Sequence, residues 1–284
     1  MSTRPPAAWV DGKSGADLSV FDRGLHYGDG LFETMACLNG WPRFLGRHLE
    51  RLASGCARLG LPQPPQGLLE AQIAAALADC PRAVLKLIVT RGAAPARGYA
   101  APAAAPATHI LLRYPWPPED ARAHEEGVRV RLGALRLGEN PLLAGMKHLN
   151  RLEQVLARQE WSDPQIAEAL LFSSSGALIA GTMSNIFLVH AGTLATPRLD
   201  RCGVAGIMRA VVGGLAAECG IDFQERRLEA ADLQQAQELF LTNALIGIRP
   251  VREVAGRALA IGPLTRRLQQ ALAPLLGGAP EGPA

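Results

Sequence analysis

Between residues 8 and 40 the chain reads as short apolar runs broken by glycine: WVDGK, LSVFDRG and LFETMACLNGW. The DGK and NGW pieces are hairpin signals, so this stretch is predicted to form β-strands joined by tight turns. From Phe44 to Leu59 the period changes. Leu45, Leu49, Leu52, Cys56 and Leu59 recur at helical spacing, with Arg47, Arg51 and Arg58 off the stripe, which predicts an amphipathic helix. A second helix is predicted over 66–78, stopped before Pro81. VLKLIVT (84–90) and THILLRY (108–114) read as buried strands around the Gly/Ala/Pro-rich loop RGAAPARGYAAPAAAPA.

The segment PWPPEDARAHEEG (115–127) is polar and proline-rich, and it is predicted to link two domains. On this division 1–114 is an N-terminal α/β domain, 128–276 a C-terminal α/β domain, and 277–284 a disordered tail. Within the second half the pattern predicts a strand at VRVRLG, a loop ending at Met146 and a helix over 147–159. Strands follow at ALLFS, ALIAG and NIFLVH, and a further helix starts at Gly206. There is no internal repeat, and strands and helices intermix in both halves. The expected fold class is therefore α/β or α+β, built in layers.

Composition narrows this only slightly. A length of 284 residues suits one large domain or two ordinary ones, and 48% hydrophobic residues can fill substantial cores. A formal charge of +3 is too small to argue for nucleic acid or a membrane surface as partner. The N-terminal residues lack the apolar core of a signal peptide, and no run of about 18 apolar residues predicts a transmembrane helix. The cysteines (Cys37, Cys56, Cys80, Cys202, Cys219) are scattered and odd in number, and none forms a CxxC pair. They read as reduced residues of a cytoplasmic protein, with no metal bound.

Lysine is scarce, and that directs the search for chemistry, because Lys13, Lys86 and Lys147 are the only amine side chains available for covalent catalysis. Lys13 falls in the predicted Asp-Gly-Lys turn, where it is solvated and inert. Lys86 lies within an apolar strand, sharing a face with Val84 and Ile88, and suits a structural role, snorkelling or paired with a carboxylate. Lys147 stands where the loop NPLLAGM gives way to the predicted helix. A helix N-terminus disfavours a positive charge, which would lower its pKa as Schiff-base chemistry requires; an ordinary solvated lysine fits the same position. In TPRLDRCGVAGIMR, Gly203 and Gly206 lead into a helix whose free N–H groups, chiefly those of Ile207 and Met208, could hold a phosphate. A plain loop before a surface helix reads the same way. Neither a Walker loop nor a GxGxxG after a strand is present. Arg91 and Arg97 bracket a loop, where two guanidiniums suit a substrate with carboxylates or serve solubility.

Taken in order, FDRGLHYGDGLFET (21–34), RHLERL (47–52), GMKHLNRLEQVLAR (145–158), SNIFLV (184–189), GVAGIMR (203–209) and LTNALIGIRPV (241–251) resemble the fold-type-IV pyridoxal-phosphate (PLP) enzymes. The resemblance covers about residues 9–275. KHLNRLEQ is closer to the family's lyase branch than to its aminotransferases, which tend to place Tyr five residues after the lysine, where Leu152 stands here. The resemblance implies two α/β domains with PLP in the cleft between them, usually in a homodimer. It implies Lys147 as the lysine bound to PLP, and Arg51 with the Ile207 and Met208 amides on its phosphate. Asn243 and Ala244 would make the last phosphate contacts, and Arg91 and Arg97 would be substrate-carboxylate ligands. The family glutamate that pairs with the pyridine nitrogen falls at Ala180, so that carboxylate is missing. The implied reaction converts 4-amino-4-deoxychorismate to 4-aminobenzoate and pyruvate. The alternatives are an aminotransferase for D- or branched-chain amino acids, and a non-catalytic α/β protein that binds a phosphorylated ligand.

Overall fold

In a strand, successive side chains point to opposite faces, and the run GLFETMACL uses both. The computed structural model describes residues 6–94, 97–101, 106–118 and 120–277. Among these the chain forms two units. One extends to Pro118 and takes back Met146–Asn150; the other holds the residues up to Gly145 and those from Arg151 onward.

The first unit contains β1 (Ala7–Val10), β2 (Lys13–Ser14), α1 (Arg23–Tyr27), β3 (Gly30–Leu38), β4 (Trp41–Pro42), α2 (Leu45–Leu59), α3 (Gln66–Leu77), β5 (Arg82–Thr90) and β6 (Thr108–Pro115). Its strands form a sheet in the order β2-β1-β6-β5-β3-β4, antiparallel throughout. The two sequence-predicted hairpins are present. Asp11–Gly12 and Asn39–Gly40 all have positive φ, the backbone that two-residue turns need to match strand twist. Helix α2 lays its apolar stripe, Leu45, Leu49, Leu52 and Cys56, on β3, and all four are buried.

The second unit contains α4 (Ala121–Glu125), β7 (Val128–Leu137), α5 (Leu152–Arg158), β8 (Ile166–Ser173), β9 (Leu178–Gly181), β10 (Asn185–His190), β11 (Thr193–Pro197), α6 (Ile207–Glu218), β12 (Phe223–Arg226), α7 (Ala230–Gln235), β13 (Glu238–Asn243), β14 (Gly247–Val254), β15 (Arg257–Ala258) and α8 (Pro263–Gly277). Its main sheet runs β12-β11-β10-β13-β14-β7-β8-β9, with β15 paired to β14. One face buries Ile186, Leu188, Leu239, Leu241 and Val251 in the principal core. On the other, Phe187 stacks on its cross-strand partner Phe240 with ring centroids 4.9 Å apart, and Phe223 packs at 6.2 Å from Phe187.

Three expectations are corrected. The segment 115–127 contains α4, capped by the Asp120 side chain accepting from Ala123 N at 2.9 Å, so it is partly helical. The helix expected over 147–159 begins only at Leu152. Gly277 closes α8, while 278–284 of the expected tail lie outside the described residues.

Phe187 and Phe240 are both fully buried. Phe240→Ala removes the shared ring contact and leaves a cavity, and is expected to cost about 3–5 kcal/mol in urea unfolding. A loss below about 1 kcal/mol would show that the site collapses without consequence.

Candidate active site

Lys147 is placed by strand geometry, not by a helix. Phe32 N donates to the Lys147 carbonyl at 2.9 Å, Leu149 N donates to Gly30 O at 3.0 Å, and Leu31 and His148 form an antiparallel bridge. Residues 147–149 thus extend the edge of β3. This overturns the helix-dipole argument for Lys147, since α5 starts five residues later. The Lys147 Nζ lies 4.2 Å from the Phe32 ring centroid, and Lys86 Nζ lies 4.9 Å from the same centroid. Lys13, in β2, is exposed as expected.

The next residue of β3 points the other way. Glu33 is 1% exposed and faces α2, where His48 Nδ1 lies 2.6 Å from its Oε2. Arg51 Nε donates to Glu33 Oε1 at 2.8 Å and its Nη2 donates to Oε2, a bidentate clasp. Burial pushes the Glu33 carboxyl up, but the hydrogen bonds from His48 and Arg51 outweigh it and hold the group below its ordinary value. Arg51 therefore has a fixed orientation before any ligand arrives. Glu33 and His48 were missed in the sequence. The available signal was a carboxylate at an inward position of LFETMACL, with His and Arg three apart on the facing helix.

Arg91 and Arg97 part company. Arg91 is 9% exposed: Nε and Nη2 donate to Asp29 at 2.7 and 3.1 Å, Nη1 to Gly60 O at 2.6 Å, and Nη2 to Leu59 O at 2.9 Å. A substrate carboxylate would have to displace Asp29, so Arg91 is a structural arginine and its expected role as a substrate ligand is withdrawn. Arg23 joins the same carboxylate at 2.9 Å and holds the next loop through the carbonyls of Gly98 and Tyr99 at 3.0 and 3.1 Å. Arg97, in that loop, is exposed.

In the second unit the loop before α6 is built for close backbone approach. Gly203 has φ +88°, and its carbonyl accepts from Gly145 N at 3.0 Å, while Ala205 N returns a bond to Gly145 O at 3.0 Å. Asn185 Nδ2 donates to Val204 O at 2.8 Å, and a β-carbon on Gly206 would overlap Asn185 Oδ1. Ile207 and Met208 open α6, and Gly206 supplies no side-chain cap for their N–H groups. Thr242, cross-strand partner of Asn185, has a buried hydroxyl with no hydrogen-bond partner among the described residues. The uncapped N–H groups at the start of α6 fit an incoming phosphate. Thr242 was not singled out in the sequence.

The Asn243 side chain is spent on the β13–β14 turn. Its Oδ1 accepts from Leu245 N and Ile246 N at 2.9 and 3.0 Å, and its Nδ2 donates to Met183 O at 3.2 Å. Ala244 has only its backbone to offer. Ala180 sits in β9 opposite Leu171, 8% exposed. The buried carboxylate beside this segment is Glu168. It accepts from Ala169 N, Thr182 N, the Thr182 hydroxyl, Met183 N and the Ser184 hydroxyl. These donors fill its acceptor capacity, so Glu168 braces the 182–184 turn.

The family model for amino-transferase class IV matches residues 30–254. The aminodeoxychorismate lyase of Vibrio harveyi is 33% identical over 92% of this chain and 97% of its own. A putative branched-chain-amino-acid aminotransferase of Methanocaldococcus jannaschii is 34% identical, over 92% of each. The crystal structure of 4-amino-4-deoxychorismate lyase from Pseudomonas aeruginosa superposes with a TM-score of 0.90 at 49% identity, covering 93% of this chain and 97% of that one. The chain belongs to the aminotransferase class IV family, a fold-type-IV group of enzymes that depend on PLP.

Truncating Arg51 leaves Glu33 buried with His48 alone, so Arg51→Ala is expected to cost about 3–5 kcal/mol of stability. Adding Glu33→Gln removes the stranded charge. The double variant should recover much of that loss, yet bind PLP at least about tenfold more weakly in equilibrium dialysis. An unchanged dissociation constant would remove Arg51 from the phosphate site. The pH dependence has a defined sign. Because the folded Glu33 pKa is lowered from 4.5, its contribution is complete above that value and disappears as pH falls through the folded value. Glu33→Gln should therefore flatten the loss of stability below about pH 4.5.

Proposed function

We propose that this chain is a PLP-dependent lyase that converts 4-amino-4-deoxychorismate to 4-aminobenzoate and pyruvate, a step that supplies folate synthesis. The observation that carries the reading is the 49% identity, at a TM-score of 0.90, to a solved enzyme of that name. Ala180 agrees with it. A carboxylate beside the pyridine nitrogen raises the pKa of that nitrogen and favours aminotransferase chemistry, whereas a reaction that ends in an aromatic ring depends on it less.

Bound PLP supplies an electron sink for carbanionic charge. Lys147 would carry it and, once released, take the proton from ring carbon C4 of the substrate as general base. The bond from C3 to the enolpyruvyl oxygen breaks, the departing enol takes a proton at its methylene to become pyruvate, and the ring is left aromatic. The Ile207 and Met208 amides, the Ala244 backbone and Arg51 would hold phosphate. Arg97 would take a substrate carboxylate.

The resemblance and the free cysteines fit a cytoplasmic homodimer. Its subunits would bury some of the large apolar side chains that one chain exposes, such as Leu152 at 76% and Leu156 at 55%. No helix among the described residues is long and apolar enough to cross a membrane. The second reading, an aminotransferase for branched-chain or D-amino acids, draws on the 34% identity to the archaeal relative.

Purified protein supplied with enzymatically generated 4-amino-4-deoxychorismate should release 4-aminobenzoate and pyruvate in equal amounts, and transaminate ordinary amino acids slowly. Ala180→Glu should raise transamination with little change in the lyase rate. Fast wild-type transamination without 4-aminobenzoate would replace this reading with the second one.

A further inference from the structure

Lys86 occupies the middle of β5 with its side chain half-buried. Its cross-strand partners are Thr34 on β3 and Leu112 on β6, and the adjacent row on the same face is Phe32, Ile88 and Ile110. A charged amine in such an apolar setting normally has a counterion, because partial desolvation disfavours the charge. Three arginines of this unit, buried at least in part, have one, Arg23 and Arg91 at Asp29 and Arg51 at Glu33, whereas Arg43 and Arg113 lie over the Trp116 and Trp9 rings. The Lys86 side chain has neither an ion pair nor a hydrogen bond among the described residues, and its Nζ lies 4.9 Å from the Phe32 ring centroid. Of the two structural roles expected for it, snorkelling or pairing with a carboxylate, the second has no partner among the described residues. Lys147 Nζ lies 4.2 Å from the centroid of the same ring, so the Lys86 amine and the candidate catalytic amine share one phenyl.

We propose that Lys86 binds a carboxylate of the substrate and fixes its orientation beside Lys147. Within the lyase reading, on which this rests, it is a specificity-determining residue for a dicarboxylate. It takes over the role that Arg91, locked to Asp29 and to the Leu59 and Gly60 carbonyls, cannot fill. A lysine serves as a point charge with rotatable donors, which suits a group that must enter and leave at each turnover. The phosphate reading already assigns Arg51 and the α6 amides to the cofactor, so Lys86 is assigned to substrate.

The test uses the PLP-loaded protein and two probes without an amine, chorismate and 2-oxoglutarate, each with two carboxylates. Their binding is measured by calorimetry to wild type, Lys86→Met, Lys86→Gln and Lys86→Arg, with the PLP dissociation constant measured for each. Met and Gln are unbranched at Cβ and one atom shorter than Lys, so an unfolding midpoint near wild type in at least one of them excludes a packing defect. Both neutral variants should bind at least one probe about tenfold or more weakly, Arg should stay within a few-fold of wild type, and PLP affinity should not move. In turnover, the Michaelis constant should rise more than the rate constant falls. Equal probe affinity in wild type and both neutral variants would overturn the proposal. So would a loss confined to PLP, which would assign Lys86 to the cofactor. Wild type that forms no 4-aminobenzoate yet binds 2-oxoglutarate through Lys86 would refute the lyase reading and leave this inference standing.

Discussion

The candidate chemistry of the first unit hangs on the backbone ladder that captures residues 147–149 at the edge of β3. Two N–H to carbonyl bonds, Phe32 to Lys147 and Leu149 to Gly30, tie a remote stretch of chain to the N-terminal sheet. Backbone bonds of this kind set position to within a few tenths of an ångström, and a strand's alternation does the rest. Phe32 turns to one face and meets Lys147 and Lys86, while Glu33 turns to the other and clasps Arg51. One strand thereby positions Lys147 and Arg51 from adjacent residues. A one-residue slip in its register would exchange the two faces and bury Phe32 against α2 in place of Glu33.

The buried Glu33 carboxylate is the energetic counterpart of that geometry. Left alone at this depth it would be protonated or would force the strand outward, since burial opposes its charge. Two donors from one helical turn hold it ionised, and in doing so they fix the rotamer of Arg51. Asp29 does the same for the neighbouring loops, drawing Arg23 and Arg91 to one carboxylate. Burial raises the Asp29 pKa, yet its hydrogen bonds to Arg91 and Arg23 hold the pKa lowered. In the second unit neutral groups do comparable work, with the Asn185 amide and positive-φ Gly203 shaping the turn into α6.

Much of this was legible in the chain. The α2 stripe, both hairpins, the strands around residues 84–90 and 108–114 and the start of α6 all follow from periodicity and turn chemistry, which are local. What periodicity cannot report is the partner. KHLNRLEQVLAR is a good helical pattern, yet its first five residues stay out of the helix because bonds to Gly30 and Phe32 claim the backbone first. Arg91 and Arg97 look alike in RGAAPARGY; they differ because Asp29, 62 residues from Arg91, binds one of them. Lys86 read as a structural lysine because its missing counterion is visible only when neighbouring strands are in register. Ala180, by contrast, was found by motif alignment alone, and the structure adds that Glu168 is already committed elsewhere.

The central claim is that Lys147, held at the edge of β3, is the amine that carries PLP. Borohydride reduction of the PLP-loaded protein, followed by peptide mass mapping, tests it directly. The account predicts a pyridoxyl group on the peptide containing Lys147 and on no other. A label on Lys86 or Lys13, or none on Lys147, would contradict it.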